Sequence, residues 1–235
     1  MNPVLNEKTF SGFNYSDDAM TIGGVINKSF ILWLILAVGA YLGWTNAAFV
    51  MSMFWLLFIV TLALCFMISF MRHTSPYLSP LYAFGEGLFL GAITLFFEKD
   101  YPGIAVNAVF LTVAVLFCML AAYKSGKIRA TNKFKKVIFI STLAIAGVYF
   151  IDIILLLCHV PSVPFIHSSG PIGILFSIGV VIIAALNLII DFDMIQRGVT
   201  RQAPKYMEWY GAFALMVTIV WLYLEILRLL TKIRN

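Results

Sequence analysis

Apolar residues run through this chain in blocks of about twenty or more, parted by short polar stretches, and that pattern sets its class. Seven blocks stand out, at about 22–44, 47–71, 78–97, 103–123, 136–158, 171–194 and 209–231. Each is long enough, as a helix rising about 1.5 Å per residue, to cross a hydrocarbon layer of about 30 Å. In that layer the backbone must satisfy its own hydrogen bonds, which an α-helix does within one segment. The breaks carry turn-forming residues: Gly43-Trp44-Thr45-Asn46, Ser75-Pro76 through Ser79-Pro80, and Asp100-Tyr101-Pro102-Gly103. Pro161, Pro164 and Gly170-Pro171 bound the fifth connection, and Ala203-Pro204 precedes the last block. No internal repeat or low-complexity tract interrupts them. The pattern predicts an all-α polytopic membrane protein with seven transmembrane helices. Residues 1–21 form a polar segment before one membrane domain over 22–235.

Composition narrows this further. Hydrophobic residues make up 62% of the chain and charged ones 11%, which excludes an ordinary soluble domain. The net charge of +5 does not point to nucleic acid, because the basic residues collect in short connections rather than in a stripe interleaved with aromatics. They report topology instead. Lys124, Lys127, Arg129, Lys133, Lys135 and Lys136 lie around the fourth connection, and Arg197, Arg201 and Lys205 in the sixth. With Arg72, Lys8 and Lys28 they make twelve on one side of a seven-span bundle, against Lys99, Arg228, Lys232 and Arg234 on the other. An excess of Lys and Arg marks cytoplasmic loops, so the N-terminus is predicted inside and the C-terminus outside. An even number of spans would bring the C-terminal cluster inside.

The first 20 residues are polar, include Asp17 and Asp18, and lack a basic stretch leading into a short apolar core, so a cleaved signal is not expected. Cys65, Cys118 and Cys158 are too few and too scattered for a disulfide framework. His73, His159 and His167 show no metal-ligand spacing, and His159 and His167 read as ordinary interfacial histidines. Phosphate-binding glycine loops and nucleophile elbows are absent. No enzyme activity, metal site or cofactor is predicted.

The acidic residues inside the apolar blocks are the candidate chemistry. An ionised side chain in hydrocarbon costs at least about 2.5–3.5 kcal/mol, so such groups face a protein interior or a water-filled path. Asp191 and Asp193 fall near the inner end of the sixth block, and Glu208 opens the seventh. Glu86 lies about 12 Å into the third, Asp152 in the outer half of the fifth, and Glu225 about 24 Å into the seventh. Each has a local alternative. Asp191 and Asp193 can pair with Arg197 at a solvated helix end, and Glu225 with Arg228 at i+3. Asp152 can hydrogen-bond a neighbouring helix. Close helix packing explains Gly85, Gly87 and Gly91 around Glu86, but not the acid itself.

An ordered set of short motifs resembles the transmembrane Bax inhibitor motif family in its bacterial branch. Phe70-Met71-Arg72 ends the second block, and Pro80 with Tyr82-Ala83-Phe84-Gly85-Glu86-Gly87 opens the third. Ile190-Asp191-Phe192-Asp193-Met194-Ile195 ends the sixth, and Leu222-Tyr223-Leu224-Glu225 lies in the last. The resemblance covers most of the chain after about residue 20. It implies six helices around a central seventh, in a bacterial plasma membrane. It also implies a pH-sensitive calcium leak in which an acid from each of the last two spans shares a proton. Asp191 and Glu225 correspond to that pair, and Arg72 to an arginine that locks the closed state. Depth along the helices leaves another pairing open, in which Asp193, Glu208 or Glu86 is the nearer partner of Asp191. The function expected is a pH-sensitive cation channel or sensor, with the lipid bilayer and cations as its partners. The alternatives are a non-conducting regulator that binds another membrane protein, such as a protease or translocation component, and a proton-coupled transporter.

Overall fold

The apolar blocks become helices throughout. A computed structural model describes residues 19–158, 166 and 168–234; most of the polar N-terminal segment, His159, His167 and Asn235 lie outside the described residues. Among the described residues there are eight α-helices: α1 (Ile22–Thr45), α2 (Ala47–Ser52), α3 (Phe54–Phe70), α4 (Ser75–Asp100), α5 (Ile104–Lys124), α6 (Asn132–Leu157), α7 (Pro171–Thr200) and α8 (Met207–Arg234). Six are long and apolar enough to cross a membrane, and α3 is a shorter apolar helix of 17 residues.

Two boundaries differ from the sequence reading. The block at 47–71 is split at Met53, whose backbone (φ −102°, ψ 17°) leaves the helix. No glycine or proline announces this break. The Phe49 carbonyl accepts from both the Ser52 hydroxyl, at 2.7 Å, and the Met53 amide, at 3.3 Å. The prolines assigned to the second connection lie inside α4. Pro76 sits in the first turn, where its missing N–H was unpaired anyway, and Pro80 removes one hydrogen bond a turn later. The turn into α5 is short because Gly103 adopts φ 81°, which a residue with a Cβ seldom does.

The helices group into two compact units. One holds the described residues of 103–192 and of 218–234; the other holds the described residues up to Pro102 together with Asp193–Val217. In the second unit α1 and α4 touch backbone to backbone through Gly39 and Gly43 on one helix and Gly87 and Gly91 on the other. A Cβ at Gly43 would overlap the Leu88 carbonyl, and one at Gly91 the Ala40 carbonyl. Such glycine pairs four residues apart let membrane helices pack closely where lipid offers no hydrophobic drive. Burial is uneven: 56% of the most apolar stretch of α8 is buried but only 6% of that of α6. α8 is therefore the helix that meets protein, and its polar residues have protein partners.

Candidate functional site

In the first unit, polar residues line one face of α7 and one face of α8. Ser177, Asn187 and Asp191 recur at helical spacing on α7, and Thr218, Glu225 and Lys232 recur every seven residues on α8. Asp191 meets Thr218 at one end, and Ser177 meets Lys232 at the other, so the helices run antiparallel along a polar seam. α6 adds Thr142 and Tyr149.

The seam has two polar levels. At the first, the Thr218 hydroxyl donates to Asp191 Oδ2 at 2.5 Å, and Asp191 is fully buried. One turn away Asn187 donates through Nδ2 to Thr142 Oγ1 and to the Ile183 carbonyl, both at 2.9 Å. Its buried Oδ1 accepts no hydrogen bond from the described residues. At the second level Glu225 accepts from Tyr149 Oη at 3.0 Å and Trp221 Nε1 at 3.2 Å. Arg228 Nη1 stands 3.3 Å from each of its oxygens. The Arg228 guanidinium lies 4.7 Å over the Tyr149 ring. Lys232 donates to the Gly173 carbonyl at 3.0 Å and to Ser177 Oγ at 2.8 Å. Seven residues of α8 separate Thr218 from Glu225, about 10 Å along the axis. Buried Ile219 and Leu222 lie between them on α8.

The second unit carries a different carboxylate cluster. Glu208, in the first turn of α8, is fully buried and accepts from the Thr21 amide at 2.8 Å and the Thr21 hydroxyl at 3.0 Å. Lys28 pairs with its other oxygen, and Lys205 approaches to 3.3 Å. Thr21 caps α1, so an anion sits at a helix N-terminus, where unpaired amides and the helix dipole favour negative charge. Backbone pairing reinforces the junction, with the Met20 amide donating to the Ala203 carbonyl at 2.7 Å. Glu86 is half-buried, with the Tyr82 hydroxyl hydrogen-bonded to it and Cys65 of α3 nearby. Arg72 opens a single 3-10 turn and stacks 5.8 Å over the Tyr210 ring. Burial lifts the Tyr206 phenol above its usual range, and the charge of Arg72 opposes that.

The predicted residues thus fall into distinct settings. Asp191 and Glu225 share a seam but occupy separate levels, and Glu225 takes the i+3 pairing with Arg228 that its spacing allowed. Asp193 pairs with Arg197 at 2.9 Å, whereas Asp191 is inside rather than at a solvated end. Glu86, Glu208, Asp193 and Arg72 belong to the second unit, and Asp152 is half-buried on α6 in the first. The residues missed were the neutral Thr218, Asn187, Thr142, Tyr149 and Thr21, and the cations Lys28 and Lys232, which the sequence reading uses only for topology. Their signal was available in part, because Thr218 precedes Glu225 by seven residues and Asn187 precedes Asp191 by four. The family model described as Bax inhibitor 1 like matches residues 2–235. No curated protein and no solved structure matches the chain.

Proposed function

The chain belongs to the Bax inhibitor 1 like family, and on that premise we propose that it conducts or senses cations, calcium foremost, across a bacterial plasma membrane under pH control. In this reading α2 and α3 together make one span, giving seven, with α8 at the centre. The N-terminus is cytoplasmic and the C-terminus outside. With Cys65, Cys118 and Cys158 replaced by alanine, a thiol-reactive probe should therefore reach the exposed position of Ser125→Cys only from the cytoplasmic side. Labelling from outside would invert the topology.

The observation that carries the reading is Asp191, a carboxylate wholly inside a membrane helix pair and hydrogen-bonded by a neutral hydroxyl. Losing its proton adds one negative charge to apolar surroundings, where charge interacts strongly and draws a cation. The unpaired Asn187 Oδ1 one turn away offers a second hard oxygen on the same face. Protonated, Asp191 is a neutral hydrogen-bonding group and the attraction lapses. Conduction should then rise with pH.

The test is calcium entry into liposomes containing only this protein, followed with a trapped indicator between pH 5.5 and 8. The expected result is entry above protein-free vesicles that increases with pH, with Asp191→Asn flattening the increase. Vesicles indistinguishable from protein-free ones at every pH would sink the conduction reading. The rival reading, a non-conducting regulator of another membrane protein, gains support from Glu208 and Glu225, both buried and both paired with cations as in a structural network.

A further inference from the structure

Glu225 is buried to within 2% exposure, but the Arg228 side chain that pairs with it is 37% exposed. One nitrogen, Nη1, serves both oxygens at 3.3 Å, longer than the 2.7–2.9 Å typical of charge-assisted bonds and without the two-pronged geometry that makes arginine pairs tight. The guanidinium is held from its other side by the face of Tyr149, at 4.7 Å. Lys232, one turn further on, hydrogen-bonds Gly173 and Ser177 of α7 and acts on Glu225 through its charge alone. Arg228 and Lys232 thus bring two cations to the buried Glu225, with Asp152 one turn beyond Tyr149 on α6.

We propose that Arg228 is a cationic cap that gates the seam at Glu225. With the cap seated on Tyr149, Glu225 is neutralised and a metal cation meets positive charge. With the cap swung off Tyr149, Glu225 becomes an anionic oxygen site without its arginine. Arginine keeps its charge throughout the physiological pH range, so this gate answers to displacement and not to protons. A loosely bonded pair whose cation is already part-exposed suits that motion. The proposal rests on the cation-pathway reading of the seam. It adds to that reading the residue that sets the closed state at the Glu225 level, a role that no proton shared between Asp191 and Glu225 would supply.

The experiment restores charge within a single folded protein. Arg228→Cys is made with Cys65, Cys118 and Cys158 replaced by alanine, and calcium entry is measured in liposomes. A methanethiosulfonate reagent carrying an ethylammonium group is then added, with its ethylsulfonate counterpart as the control. Removing the cap should raise entry about tenfold at fixed pH, the effect of shifting a closed state's population by one decade. The ethylammonium adduct should return it toward the parent rate, and the sulfonate should not. If Arg228→Cys does not fold, Tyr149→Leu, which keeps both charges but removes the ring under the guanidinium and the hydroxyl bonded to Glu225, should raise entry in the same direction. Tyr149→Phe, which keeps the ring, should not. Entry within twofold of the parent in Arg228→Cys and Tyr149→Leu, while Asp191→Asn still alters it, overturns the cap and leaves the conduction reading standing. Entry absent from the parent and from every variant overturns both.

Discussion

Glu208→Ala is expected to destabilise the protein by about 3 kcal/mol, the low end for stranding the partners of a buried ion pair. The Thr21 amide and hydroxyl lose their acceptor, and Lys28 and Lys205 lose their counter-charge. The low end applies because Lys205 is 44% exposed and Lys28 17%, so both side chains can turn to water. For a chain of this size that loss lowers the melting temperature by about 6–12 °C. Glu208→Gln should lose less, since its amide oxygen still accepts from Thr21. Gly24 gives an independent check on the geometry. A Cβ at Gly24 would overlap the Glu208 carboxyl group, so Gly24→Ala should also destabilise. In the Glu208→Ala background the carboxylate is gone and Gly24→Ala should then cost little, a departure from additivity that only touching residues show. Thermal unfolding in detergent reads all four variants. A change within about 2 °C for Glu208→Ala, less than 1 kcal/mol on the same scale, would make the cluster an ordinary surface pair.

How much of this was legible in the chain depends on the kind of signal. Span positions were, because a bilayer demands long apolar runs and the sequence has nothing else to spend them on. α1, α5, α7 and α8 begin within two residues of their predicted starts. The split at Met53 was not legible, since no glycine or proline marks it. The α1–α4 contact was half legible: Gly87 and Gly91 read as close packing, but their counterparts Gly39 and Gly43 are far away in sequence. Among the acids, the local pairings Asp193–Arg197 and Glu225–Arg228 follow from i+4 and i+3 spacing alone. The partners of Glu208 and Asp191 do not. Thr21 and Lys28 lie more than 170 residues from Glu208, and the donor to Asp191 is a threonine, which carries no charge pattern to search for.

Asp191→Asn and Glu225→Gln are expected to act on calcium entry independently and in different ways. On the conduction reading proposed above, Asp191→Asn removes the proton-sensing group, so entry should become flat across pH 5.5–8. Glu225→Gln removes the acid paired with Arg228 while leaving Arg228 and Lys232, so that end of the seam loses one negative charge. Entry should fall at every pH with its pH midpoint unmoved. The separation along α8 is about 10 Å between Thr218, which holds Asp191, and Glu225, with Ile219 and Leu222 between them. Residues that far apart without shared partners couple by less than about 0.5 kcal/mol, so the double variant should show both effects in sum. A proton shared by the two carboxylates makes the opposite forecast. Either single change would then abolish the pH response, and the second would add almost nothing, because a coupled pair titrates as one unit. A double variant no different from either single one would mean that the two levels of the seam close on each other during conduction. The additive outcome keeps the roles apart: Asp191 senses the proton, and Glu225 is held by Arg228.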